Sequence, residues 1–314
     1  MRVLYASDIH GSETCFRKFI NAVEFYGLDV LILGGDLSGK AVLPIIAEAG
    51  GYHRAQFMGT NHTVSSGREL EELERSARAA GMYPLRTTAD KARKLTQDPL
   101  ALNEVFTTAV LDSVTSWMRL AEERLPPRVE CYVMPGNDDI GAVEAAIKTS
   151  TRVINPETKR VMVGGTYEMV SIGLSNRTPF DSPREADEHG IARILSGLLE
   201  TVERMDLCIL NSHCPPHGTS LDLAPELDKD LGVITTMGRP HMIPVGSTAV
   251  RDAIARSQPL VGLHGHCHES RGMARIGRTI CLNPGSEYAT GILRGVVVTL
   301  SERKKTVGYQ FVAA

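Results

Sequence analysis

Short, nearly unbroken apolar runs alternate with helical periodicity along the first forty residues. R-V-L-Y-A, from position 2, is an apolar run that stops at S-D-I-H-G. Phe16, Phe19, Ile20 and Val23 then recur at helical spacing, and Gly27 offers a C-terminal stop. L-D-V-L-I-L-G-G-D follows as a second buried strand. Two such strands around a helix predict a parallel β-α-β unit covered on both faces.

The pattern changes between residues 40 and 127. Leu70, Leu73, Ala77 and Ala80 fall on one helical face that ends at Gly81. Asp98-Pro99 has the form of a cap and first-turn proline for a second helix, carrying Leu102, Val105, Phe106, Ala109, Val110, Val114 and Trp117. Pro126-Pro127 closes it. This stretch reads as a helical insertion beside one core, suited to a cap over a site, to an oligomer contact such as a homodimer, or to plain packing. Beyond it, E-C-Y-V-M-P-G-N-D-D resumes the strand-then-glycine pattern. Strands are predicted around 160–173, and a helix over 188–205 with Ile191, Ile194, Leu195, Leu198, Leu199 and Val202 in register. D-L-C-I-L-N-S-H is another buried strand. A helix after Gly246-Ser247 leads into P-L-V-G-L-H-G-H, and residues 278 to 312 alternate as antiparallel strands do.

Composition narrows the class. A 314-residue chain buries a full core, and 42% hydrophobic with 23% charged residues is ordinary for a globular protein. A net charge of −3 gives no general attraction to polyanions, so there is no strong nucleic-acid signal, although a small phosphorylated substrate needs only local positive charge. The six cysteines are scattered with no C-x-x-C pair, as expected of reduced thiols. M-R-V-L-Y-A-S-D-I-H has no room for the apolar core of a signal peptide, and no apolar run approaches the roughly 18 residues of a membrane span. These features predict a cytoplasmic protein without a membrane partner.

Chemistry concentrates where apolar runs end. G-L-H-G-H-C-H-E-S, at 262–270, packs three histidines and a cysteine into five positions. Four other apolar runs end on Asp8 and His10, on Asp36, on Asn137 and on His213. C-terminal ends of parallel strands meet along one sheet edge, so residues distant in sequence converge there. Carboxylate, imidazole and amide ligands without a necessary thiolate suit Mn, Fe or Zn. Asp8, His10, Asp36, Asn137, His213, His266 and His268 are too many for one tetrahedral ion and fit two divalent ions sharing a carboxylate. Such a pair, about 3.5–4 Å apart, clamps the attacking and leaving oxygens of a phosphoryl group.

D-I-H, G-G-D, G-N-D-D, N-S-H and G-H-C-H, in this order, resemble the calcineurin-like metallophosphoesterase family. H-C-P-P-H-G-T-S-L-D, V-G-S-T-A-V-R-D-A-I, G-H-C-H-E-S-R-G and N-P-G-S are similar to the narrower group of Icc-related phosphoesterases. The resemblance covers residues 8 to 268 and implies an α/β fold: a four-layer α/β/β/α sandwich in a single domain, 1–314, with the insertion at about 40–127. It assigns Asp8, His10 and His268 to one metal ion, Asn137, His213 and His266 to the other, and Asp36 to both. A hydroxide between the ions, Mn²⁺ above Fe or Zn, would attack phosphorus in line.

One position departs from the pattern. The family has a histidine after G-N that helps protonate the leaving group or steadies the phosphate; here it is Asp138. A carboxylate repels phosphate unless protonated or turned away, so activated or aryl-like esters and small diesters are favoured over monoesters, with His217 as a replacement donor. Arg177, Arg239 and Arg271 are candidate phosphate contacts, as is Asn137. Asp139 is expected to orient a loop, and His264 to support the ligands from behind. Cys267 is expected to point away, and His53, His62, His189 and His241 to lie on the surface or insertion, with His62 or His241 reaching a cleft only if the insertion folds over it. The function expected is hydrolysis of a small phosphodiester or nucleotide-like ester. The alternative is a protein-binding scaffold on the same fold that has lost catalysis.

Overall fold

Alternation within the strands decides the layering. In the strand Arg2–Ala6, Val3 and Tyr5 face one apolar cluster while Leu4 and Ala6 face another. The same split runs through Val30–Leu33, where Val30 and Ile32 part from Leu31 and Leu33. A sheet apolar on both faces needs cover on both sides, and the computed structural model, which describes residues 1–314, supplies it.

The first six-stranded sheet runs in the order Thr306–Ala313, Arg294–Ser301, Arg2–Ala6, Val30–Leu33, Glu130–Val133 and Val153–Ile154. Its last four strands are mutually parallel, with Tyr5 opposite Ile32 and Ile32 opposite Tyr132. The second runs Gly272–Ile276, Thr279–Asn283, Val261–Leu263, Cys208–Ser212, Tyr167–Ile172 and Arg160–Val163, with four parallel strands at its centre. Val3, Tyr5, Ile32, Met169, Ile209 and Val261 belong to the cluster packed between the sheets.

Helices Glu13–Tyr26, Pro99–Arg124 and Gly141–Ile147 cover the first sheet through Phe16, Phe19, Trp117 and Val143. Helices Glu188–Glu200 and Thr248–Ser257 cover the second through Ile191, Leu195, Val250 and Ile254. The result is the α/β/β/α sandwich. The helix signals in the sequence are the ones the structure uses: Ser12 caps Cys15 N at 3.3 Å, Gly27 closes that helix at φ 59°, and Asp98 caps Leu100 and Ala101 N at 3.1 Å with Pro99 in the first turn.

The 40–127 segment holds the helices Arg68–Ala79, Ala89–Gln97 and Pro99–Arg124. It also holds a four-stranded sheet that periodicity did not reveal, in the order Thr60–Ser65, Tyr52–Phe57, Ala41–Ala47, Met82–Thr87. This sheet and Arg68–Ala79 share a small core of their own, with Leu43, Ile45, Phe57, Leu70 and Leu73. The helix Pro99–Arg124 serves both bodies. Its first half is largely exposed, with Leu100 and Leu102 in solvent, while Val110, Val114, Trp117 and Ala121 lie in the main core. Trp117 stacks on Phe16 at 4.8 Å, and truncating it to alanine would cost about 3–5 kcal/mol.

Candidate metal centre

The parallel strands of both sheets end along one edge, and all seven predicted ligand positions lie at these ends. Arg2–Ala6 delivers Asp8 and His10, Val30–Leu33 delivers Asp36, and Glu130–Val133 delivers Asn137. From the second sheet, Cys208–Ser212 delivers His213, and Val261–Leu263 delivers His266 and His268. Backbone bonds carry the pairing past the strand ends: Asp8 N donates to Gly35 O at 3.0 Å, His10 N to Asp36 O at 2.9 Å, and Gly265 N to His213 O at 2.9 Å.

Turning these side chains inward strains the backbone. Asp8, His10, Asp36 and His266 sit at φ 57°, 37°, 54° and 65°, a region uncommon for residues other than glycine. Four of seven candidate ligands in that region is the kind of local strain that collects at functional sites. Glycines make room beside them. A Cβ on Gly136 would lie 2.2 Å from Asp36 Oδ1, and one on Gly265 would lie 2.4 Å from Asp8 Oδ2.

Asp36 is the centre of the group. Its Oδ2 lies 3.6 Å from His10 Nε2 and 3.5 Å from His213 Nε2. On one side, Asp8, His10 and His268 offer ligand atoms within 4.8 Å of one another, with His10 Nε2 and His268 Nε2 3.1 Å apart. On the other, Asn137 Oδ1 lies 3.0 Å from His213 Nε2 and 2.8 Å from His266 Nδ1. Asp8 reaches across, its Oδ1 3.5 Å from His268 Nε2 and 3.9 Å from His213 Nε2. Asp8, Asp36 and His213 also form a possible ligand trio, as do His10, Asp36 and Asp138.

Electrostatics favours a cation here. Burial pushes His10 and His266 down to about 4, leaving neutral imidazoles with lone pairs to donate. His213 goes the other way: burial opposes its charge, but Asp36 and Asp8 hold it up at about 10. Asp36 and Asp8 stay ionised although burial works against them, because His213 and His268 face them. Two buried carboxylates beside imidazole and amide donors form a set that suits divalent ions, and the residues present fit such ions. His264, with its Nδ1 3.0 Å from Ser212 O, and Cys267 lie beside the group and join none of these trios.

Residues outside the candidate ligand set hold the loops. The buried carboxylate of Asp139 accepts from Leu37 N at 3.0 Å, Ser38 N at 2.7 Å, Ser38 Oγ at 2.6 Å and Gly136 N at 2.8 Å, tying the Asp36 turn to the Asn137 turn. Burial and the charge of Asp36 push its carboxyl up to about 6 in spite of those donors. Asn283 Nδ2 donates to Gly265 O and Cys267 O, and Ser286 Oγ to Asp8 O, which gives the N-P-G-S block its use. Tyr288 lies against His10, ring centroids 4.7 Å apart.

The group opens onto a cleft of about 960 Å³. Its polar end carries His10, Asp36, Asn137, His266 and His268 beside Lys40 and Asp138. Its other wall is apolar, built from Phe180, Pro225, Leu227, Val233, Ile243 and Pro244. His217 and Arg177 line the same cleft. His217 has Nδ1 3.8 Å from Asp222 Oδ2, and Asp222 in turn shapes the turn around it through Gly218 N and Thr219 N. Arg271 lines a neighbouring hollow with His268, Glu269 and Tyr288, its guanidinium 5.0 Å from the ring of Phe311. Arg239 lies outside both, exposed in the short strand Arg239–Pro240. His62 rests on Phe57 in the insertion and His241 pairs with Glu226 at 2.6 Å; neither lines the cleft. The insertion gives the cleft no side chain beyond Lys40 at its first position. Instead it buttresses from behind, with Gly39 N bonded to Tyr83 Oη at 2.8 Å, Lys40 N to Gly81 O at 3.3 Å and Ser12 Oγ to Ala79 O at 2.5 Å.

Comparison with known proteins places these features in context. No protein-family model matches the chain. An uncharacterized protein of Methanocaldococcus jannaschii, MJ1162, is 33% identical over 168 residues, which span 53% of this chain and 67% of that one. The solved structure of TT1561 from Thermus thermophilus shares the fold with a TM-score of 0.53 at 13% identity, over 98% of this chain and 97% of that one. A structure described as a novel archaeal phosphodiesterase aligns more loosely, with a TM-score of 0.42 at 12% identity over the full length of both chains.

Proposed function

We propose, from the ordered D-I-H, G-G-D, G-N-D-D, N-S-H and G-H-C-H blocks and their meeting at one sheet edge, that the chain is a calcineurin-like phosphoesterase, a binuclear-metal-dependent hydrolase of small phosphodiesters or nucleotide-like phosphate esters. The observation that carries the reading is Asp36, whose single oxygen Oδ2 stands 3.6 Å and 3.5 Å from imidazole nitrogens of opposite halves of the ligand group. Asp8, His10 and His268 would hold one ion, Asn137, His213 and His266 the other, and Asp36 both. Bound divalent ions would supply Lewis acidity toward the phosphoryl oxygens and an activated water as nucleophile.

The chain's own groups suggest the substrate. Glu188, Glu226, Glu269 and Asp138 line the cleft against Lys40 and Arg177, so apart from the metal ions it is not electropositive. A singly charged diester suits such a lining better than a doubly charged monoester. A cavity of this size accepts a small organic molecule, and the wall of Phe180, Leu227, Val233 and Ile243 would take an apolar or aromatic portion such as a nucleobase or aryl group. Arg177 and His217 line the cleft; Arg177 would meet a phosphate oxygen and His217 would hydrogen-bond the organic part. The net charge of −3 and the mixed-charge lining of the cleft count against a nucleic-acid backbone as the substrate.

The test is a hydrolysis screen on Mn²⁺-reconstituted protein, comparing a bis-aryl phosphate, cyclic nucleotides, linear diesters and monoesters. Turnover of diesters ahead of monoesters is expected. Stoichiometric bound metal with no turnover of any ester would instead support a protein-binding scaffold.

A further inference from the structure

Both oxygens of the Asp138 carboxylate have partners. Its Oδ1 accepts from Ser182 Oγ at 2.6 Å and from Asn137 Nδ2 at 2.9 Å, and its Oδ2 pairs with the ammonium of Lys40. Its backbone N donates to Asp36 Oδ1 at 3.0 Å, so the acid–base pair is fixed to the central carboxylate of the metal group. A carboxylate bound in this way neither approaches a phosphate nor repels it as a free anion, because the lysine cancels its charge. Asp138 is therefore a clamp, and the group it clamps is a cation.

Lys40 follows Asp36 by four residues and lines the cleft with His10, Asp36 and Asn137. The turn that carries it is held from three directions: Ser38 by Asp139, Gly39 by Tyr83 and Lys40 N by Gly81 O. An ammonium has three donors, and the bond to Asp138 leaves others for a ligand. Its side chain is about half exposed, so those donors reach the cleft.

We infer that Lys40, oriented by Asp138, is the cationic donor that meets the leaving-group oxygen during ester hydrolysis. The role rests on the hydrolase reading above. As the oxygen of the attacking water bonds to phosphorus, the bond from phosphorus to the ester oxygen breaks and its electron pair stays on that oxygen. The water's proton passes to solvent. Lys40 donates a charge-assisted hydrogen bond to the departing alkoxide or aryloxide, and solvent completes its protonation. Positioned donors of this kind contribute about 10²–10⁴-fold, most where the leaving group is poor.

The experiment compares leaving groups. In metal-loaded protein, Lys40→Met should lose about 100-fold in kcat on an alkyl phosphodiester and less than about tenfold on a p-nitrophenyl diester, steepening the dependence of rate on leaving-group pKa. Lys40→Arg should restore part of the loss. Asp138→Asn should share the selective loss, and the double variant should be no worse than Lys40→Met alone. Bound metal and melting temperature of Lys40→Met should match wild type. Equal losses on both esters, or a fall in bound metal, would overturn the role of Lys40 while leaving the hydrolase reading intact. A wild type that turns over no ester would overturn both.

Discussion

Asp139 makes no hydrogen bond to any of the seven candidate ligands, yet both the Asp36 and Asn137 turns hang from its carboxylate. Asp139→Ala would leave the buried N–H groups of Leu37, Ser38 and Gly136 unpaired. The expected cost is about 3 kcal/mol of stability in urea denaturation, with a 10–100-fold fall in metal affinity by titration. Gly136→Ala tests the geometry differently. Its Cβ would meet Asp36 Oδ1 at 2.2 Å, so the carboxylate must swing away, and Mn²⁺ binding should fall sharply while the circular dichroism spectrum is retained. The aspartates and histidines were legible in the sequence because each is a metal-ligand type placed where an apolar run stops. Asp139 was legible as a loop-orienting residue and Asn283 only as part of the N-P-G-S block, while Lys40 was not legible as part of the site. A lysine and an aspartate 98 positions apart carry no mark of their pairing.

Longer elements divide in the same way. The core strands announce themselves because, covered on both faces, they read as unbroken apolar runs. The strands of the insertion do not. Tyr52–Phe57 and Thr60–Ser65 are half exposed and polar, and they join through Met58 and Gly59, both at positive φ, a turn for which only the glycine is a usual choice. Ala41–Ala47 is apolar enough but interrupted by Pro44. Hence periodicity marks the helices of this segment and not its sheet. Its contribution is support: the edge strand Met82–Thr87 presents Tyr83, whose hydroxyl receives Gly39 N next to Lys40. Tyr83→Phe removes that acceptor and leaves a buried N–H unpaired. A loss of about 1–2 kcal/mol in denaturant melts is expected, with reduced kcat on poor leaving groups and unchanged metal content. An unaltered rate with the same loss of stability would confine the insertion to a purely structural part.

Neither sheet can build the centre alone. The first gives Asp8, His10, Asp36 and Asn137, the second His213, His266 and His268, and each half of the group draws on both. Ions bound there would act as a staple between the sheets at their open edge. The fold does not depend on that staple, because an apolar cluster including Val3, Ile32, Met169 and Ile209 already joins the sheets. The chain should therefore differ from small metal-nucleated domains, which unfold without metal. Chelated protein is expected to keep its far-ultraviolet circular dichroism and its cooperative unfolding. Free Mn²⁺ at a hundred times its dissociation constant should add about 2.7 kcal/mol per independent site, a rise of roughly 5 °C in Tm. Hydrogen exchange should slow on metal addition in the turns after Ala6, Leu33 and Val133 and equally in those after Ser212 and Leu263. Asp36→Asn should remove most of the thermal shift, because the carboxylate charge proposed to serve both halves of the group is lost. Protection confined to the turns of one sheet would mean that the ions do not join the two.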